Sequence, residues 1–150
     1  MNYLLDTNIL VYYITKPETL TEFEDNHQPF SNENIALISI VTVAEMRSIA
    51  IQRRWGYNRI KKLESLFAHF LKVPVQTEQQ IRAYAEIDAY SKHKDPDRTY
   101  PAGYSSITMG KNDLWIAATT HIIGAKLVTA DDDYDHLQSV FFDIIKVNVL

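Results

Sequence analysis

Tyr3-Leu4-Leu5-Asp6-Thr7-Asn8-Ile9-Leu10 is the segment on which the fold turns. A short apolar run stops on a carboxylate, and residues 9–14 continue with the spacing of a buried helix that ends before Pro17. The rest of the chain repeats this alternation. Residues 19–27 predict a short polar helix, closed by the loop at 28–32, and residues 35–39 a second strand. Val43, Met46, Arg47 and Ala50 recur at helical spacing after it. Trp55-Gly56 breaks the pattern, and Ile60, Leu63, Leu66, Phe67, Phe70 and Leu71 mark an amphipathic helix. Val73-Pro74-Val75 reads as a brief strand whose proline suits an edge or a strand start.

Ile81, Tyr84, Ala85 and Ile87 predict a helix reaching about Ser91, and residues 92–111 a long polar loop. A helix over 114–123 is closed by Gly124, which suits the left-handed position after a last turn. Residues 126–129 form a fourth strand. Residues 140–149 supply a fifth after a turn around 134–137. Apolar strands alternating with helices predict a three-layer α/β/α sandwich with a mostly parallel central sheet, one domain over 1–150.

Composition narrows the function. At 46% hydrophobic and 23% charged residues the chain is neither disordered nor fibrous. The absence of cysteine excludes a disulfide scaffold, a thiolate zinc site and a cysteine nucleophile. A formal net charge of −4 does not advertise nucleic acid, so phosphate binding has to come from a local patch or from metal ions. No signal-peptide core and no membrane-length apolar run are present, which predicts a cytoplasmic protein with no membrane partner.

The acids sit at telling places. Asp6 follows the first strand, Glu45 falls in the first turn of the helix after the second, Asp113 opens a later helix, and Asp131 follows the fourth strand. Ligands of open parallel sheets bind outside the carboxyl ends of the strands, so these four could share one rim. Carboxylates gathered there repel one another unless divalent cations bind between them, and hard oxygen donors favour Mg²⁺ or Mn²⁺. Such a cluster suits phosphodiester hydrolysis. Each acid also has a purely structural reading. Asp6 can cap a helix, Thr42-Val43-Ala44-Glu45 matches a capping box, Asp113 complements a helix dipole, and Asp131, Asp132 and Asp133 can form a solvated turn.

Four blocks then resemble the PIN-domain ribonucleases in family order: Leu4-Leu5-Asp6-Thr7-Asn8-Ile9-Leu10, Val43-Ala44-Glu45, Asn112-Asp113-Leu114-Trp115-Ile116-Ala117-Ala118, and Leu127-Val128-Thr129-Ala130-Asp131. Length and the tyrosine-rich first helix look most like the VapC toxins of bacterial toxin–antitoxin pairs. The resemblance implies a Mg²⁺- or Mn²⁺-dependent endoribonuclease acting on single-stranded RNA, with Asp6, Glu45, Asp113 and Asp131 as catalytic and metal-binding residues. It implies support from Asn8, Thr129 and Asn112, the last as a helix cap, together with a homodimer and a small VapB-like antitoxin. The loop between Ser91 and Asn112, with His93, Tyr100 and Tyr104, is longer than the family pattern and reads either as a lid or as a surface insertion.

Six of the 15 basic residues lie from Arg47 to Lys62. Arg47, Arg53 and Arg54, with Lys111 beside Asp113, are the candidate substrate contacts. The stripe Leu63, Leu66, Phe67 and Phe70 with Trp55 reads as core, any exposed part being a docking groove for the antitoxin. Of the histidines, His136 alone lies near the acidic turn. Two other classes remain open: a catalytically silent α/β binding module, and an aspartate-dependent phosphatase. The phosphatase needs a second acid where this chain has Asn8.

Overall fold

The computed structural model describes residues 1–149, whose framework is a parallel sheet ordered β3-β2-β1-β4-β5. Strand β1 (Asn2–Leu5) lies at its centre, with β2 (Ile35–Ser39) on one side and β4 (Lys126–Thr129) on the other; β3 (Leu71–Val73) and β5 (Ile144–Lys146) form the edges. Leu4 pairs with Leu37 and with Leu127, so the central strand is apolar on both flanks. Successive side chains of β1 point to opposite faces. Tyr3 and Leu5 enter one core with Ile9, Leu10, Phe23, Met46, Leu63 and Phe67, whereas Leu4 enters the other with Ile87, Leu114, Ile116, Tyr134 and Phe142.

The first core is covered by α1 (Thr7–Thr15), a 3-10 helix (Pro17–Leu20), α2 (Thr21–His27), α3 (Ile40–Gln52) and α4 (Tyr57–Phe67). The second is covered by α5 (Glu78–Ser91) and α6 (Lys111–Ile123). This is the expected three-layer α/β/α sandwich, with every strand pairing among the described residues parallel. Reversal of strand order beside β1 creates the crevice where such sheets bind ligands.

Several local expectations change. The helix after β2 starts at Ile40, because Ser39 caps it by accepting from the Val41 amide. Thr42 therefore lies inside α3, its capping box with Glu45 does not form, and Glu45 sits beyond the first turn. Asn112 is the second residue of α6, exposed, and the cap position belongs to Gly110. Phe70 and Leu71 fall outside α4, and β3 ends at Val73, so Pro74 terminates that edge strand instead of lying within it. Strand β5 is only three residues long, and the turn around 134–137 is a 3-10 helix, Asp132–Leu137. The 19–27 stretch splits between a 3-10 turn started by Pro17 and α2. Leu63, Phe67, Phe70 and Trp55 are buried and Leu66 is partly buried against the same cluster, so that stripe is core. No helix of the described residues is long and apolar enough to cross a membrane.

Candidate functional site

Asp6 directly follows β1 and caps α1, and it is buried. One carboxylate oxygen accepts from the Thr7 amide at 2.8 Å and the other from the Thr129 hydroxyl at 2.8 Å. Asp6 is thus a helix cap, and the cap fixes its carboxylate at the carboxyl edge of the sheet. Thr129 in turn accepts from the Asp131 amide at 3.0 Å, locking the end of β4 to the end of β1. Asn8 spans the same gap, its Oδ1 accepting from the Ala130 amide at 3.4 Å and its Nδ2 lying 3.5 Å from the Thr129 hydroxyl.

Across the crevice, the Thr7 hydroxyl donates to Glu45 Oε1 at 2.7 Å and lies 3.1 Å from the Thr42 hydroxyl. Asp113, in the first turn of α6, accepts from the Tyr134 hydroxyl at 3.0 Å. Asp131 caps the 3-10 helix by accepting from the Asp133 amide at 2.9 Å, and that turn brings Asp133 back toward Asp113. Carboxylate oxygens of Asp113, Asp131 and Asp133 all lie within 4.8 Å of one another. Asp6, Glu45, Asp113 and Asp131 line one cleft of about 450 Å³, with Thr7 and Asn8 in its wall and Lys16 and Arg53 at its margin.

Burial, with the neighbouring charges of Asp113 and Asp131, pushes the Asp6 carboxyl up to about 7 even though the Thr129 hydroxyl and Thr7 amide oppose the shift. Burial also raises the Asp113 carboxyl, aided by Asp131, Glu45 and Asp133 and opposed by the Tyr134 hydroxyl. Tyr134, buried beside Asp6 and Asp113, is held protonated well above its ordinary range and so remains a donor. Acids raised this way are stabilised by any cation that enters. All-oxygen donors at short mutual distances fit a hard divalent ion such as Mg²⁺, which takes carboxylates and keeps several waters.

Other expected residues go elsewhere. Arg47 pairs with Glu64 at 2.6 Å and, with Arg54, lines a groove between α3 and α4 outside the acidic cleft. Lys111 is exposed on the first turn of α6 and does not border the cleft; Arg53 does. His136 is buried, 2.7 Å from the Ser91 hydroxyl and stacked with Tyr90 and Tyr100, so it fastens the long loop instead of facing the acids. Tyr100 is thereby engaged in packing, while Tyr104 remains exposed. Thr7, Tyr134 and Asp133 were not singled out as site residues in the sequence. Only the placing of Thr7 directly after Asp6, and of Asp133 two residues beyond Asp131, offered a signal.

The family model for the PIN domain matches residues 3–139. No curated protein sequence matches the chain. Among solved structures, VapBC2 from Rickettsia felis, bound to a DNA fragment from its promoter, is similar with a TM-score of 0.78 and 21% identity, covering 99% of this chain and 100% of that one. VapBC-1 from nontypeable Haemophilus influenzae is similar with a TM-score of 0.69 and 22% identity, covering 97% and 98%. VapBC-5 from Mycobacterium tuberculosis is similar with a TM-score of 0.63 and 21% identity, covering 97% and 98%.

Proposed function

From the premise that this chain belongs to the PIN-domain family, we propose that it is a metal-dependent endoribonuclease cutting single-stranded RNA, the toxin of a VapBC-like pair. The observation that carries this reading is the meeting of Asp6, Glu45, Asp113 and Asp131 in one cleft, from chain positions far apart. A bound Mg²⁺ or Mn²⁺ would supply Lewis-acid activation of the phosphodiester and of the attacking water. Asp113 and Asp131 would hold it, with Asp6 beneath them and Asp133 at the rim.

The remaining residues keep these carboxylates in place. Thr129 and the Thr7 amide orient Asp6, the Thr7 hydroxyl aims Glu45, and Tyr134 steadies one oxygen of Asp113 while leaving the other free. Glu45 is the acid best placed to take a proton from a water at the cleft, since it is only half-buried and approaches from the opposite wall. A silent binding module has no need for four carboxylates at such mutual cost. The phosphatase reading loses its general acid, because Asn8 occupies that position and its side-chain amide ties the start of α1 to the end of β4.

The antitoxin partner belongs to the same proposal, supported by the likeness to VapBC structures, and the homodimer and cytoplasmic setting follow only from the toxin reading itself. The deciding experiment incubates labelled single-stranded RNA with the protein in Mg²⁺, in Mn²⁺ and in chelator. Cleavage in metal that stops in chelator and in Asp113→Asn supports the reading; intact RNA in every lane of folded wild-type protein ends it.

A further inference from the structure

Residues 46–63 contain six basic residues and no acid, in a chain whose net charge is −4. Arg47 is spent on Glu64. Among the described residues, Arg53, Arg54, Arg59, Lys61 and Lys62 make no ion pair. Glu45, Ile49 and Arg53 follow one another at four-residue steps, so they share a face of α3, and all three line the acidic cleft. That face leads from carboxylate to guanidinium over about 12 Å. A phosphate at the acids would be tolerated only through cations held there, whereas the next phosphates along a strand would meet positive side chains of the protein.

Arg53 also borders a shallow depression at the α3–α4 turn, shared with Arg54, Tyr57 and Arg59. The turn is tightly made. Arg54 adopts a φ of 53°, unusual for a residue with a side chain, and the Trp55 amide returns to the Ala50 carbonyl at 3.0 Å. Trp55 is buried beneath it, with the Arg59 guanidinium 6.0 Å from its ring centre. Tyr57, by contrast, is 72% exposed, with the Lys61 ammonium 5.3 Å from its ring. An exposed aromatic ringed by unpaired cations suits an unpaired base stacked on the ring with its phosphates on the arginines.

We propose that the α3–α4 turn is a second substrate-binding element, an exit platform on which Arg53, Arg54 and Arg59 hold phosphates and Tyr57 stacks a base of the single-stranded RNA leaving the acidic centre. This rests on the ribonuclease reading for the identity of the strand. It extends that reading by selecting for unpaired RNA outside the cleft itself, because a base inside a duplex cannot reach the tyrosine.

The test is fluorescence anisotropy of a labelled single-stranded RNA oligomer in chelator, where every protein leaves it uncut and the repulsion from the acids is common to all variants. Arg54→Ala/Arg59→Ala is expected to weaken binding about tenfold and to flatten the plot of log affinity against log salt by about 1.4, two single-strand contacts. Tyr57→Ala is expected to weaken it about fivefold with the salt slope unchanged. Arg82→Ala, an exposed cation on α5, is expected to bind as wild type. The proposal falls if the double variant matches Arg82→Ala, or if it keeps its RNA affinity while losing affinity for poly-glutamate, the mark of an acidic polypeptide partner. Failure of the two readings is distinguishable: wild-type protein that binds RNA through the turn but never cuts it in metal refutes only the nuclease, while active protein with indifferent arginines refutes only the platform.

Discussion

Replacing Asp6 by Asn should stabilise the metal-free protein at alkaline pH while abolishing RNA cleavage. In the folded chain the carboxyl titrates at about 7, against an ordinary value of 3.8. The folded state therefore keeps a proton that the unfolded chain has already released. Stability is intact below the unfolded value, drains as pH rises between the two, and is fully lost above the folded one. That interval corresponds to about 4 kcal/mol. Asparagine removes the charge but keeps a single accepting oxygen for two donors, the Thr7 amide and the Thr129 hydroxyl, and the bond it loses costs about 1–2 kcal/mol at any pH.

The net expectation is a variant about 2 kcal/mol more stable than wild type near pH 8, or about 4–8 °C in Tm, and slightly less stable near pH 4. Urea and thermal melts of both proteins in chelator across that range measure the crossover. Adding Mn²⁺ near pH 8 should raise the stability of wild type and leave the variant behind. A variant less stable than wild type by the same amount at every pH would refute the claim that the Asp6 charge is costly, and with it the electrostatic case for a cation in the cleft.

Thr7→Val deletes the hydroxyl that aims Glu45 and should lower kcat about tenfold with an unchanged circular dichroism spectrum, about the worth of one hydrogen bond. Tyr134→Phe removes the donor that lowers the Asp113 pKa, so the acid limb of the pH–rate profile should move to higher pH; an unmoved limb would take Tyr134 out of the site. Gly124→Ala forces a side chain onto a φ of 65° after α6 and should cost about 1 kcal/mol, about 2–4 °C in a thermal melt, without changing cleavage.

Strands and their acids were legible because β1, β2 and β4 are buried on both faces and hence continuously apolar, so the carboxylate closing a run stands out. Glu45 was harder. The Thr42–Glu45 spacing imitates a helix start, but Ser39, the last residue of β2, already supplies the hydroxyl the helix needs. Asn112 invited the same error, since the start of α6 falls to Gly110, which offers no side chain to recognise. Asp133 reads as one more acid in a solvated run until Asp131 bends the chain into a 3-10 turn and swings it inward. The basic residues show the limit most clearly: Arg47 and Arg53 look equivalent in the sequence, yet Glu64 claims the first while the second reaches the cleft.

The grip of Thr129 on Asp6 joins residues 123 positions apart. During synthesis Asp6 is made well before Thr129, so its carboxylate lacks that partner until β4 slots in beside β1. The acidic cleft is therefore incomplete until the fourth strand and the residues just after it have been made. Cutting the chain anywhere between β2 and β4 would leave two pieces, neither holding a complete set of acids. The sheet order thus fixes, by topology alone, the earliest point at which the four acids can meet.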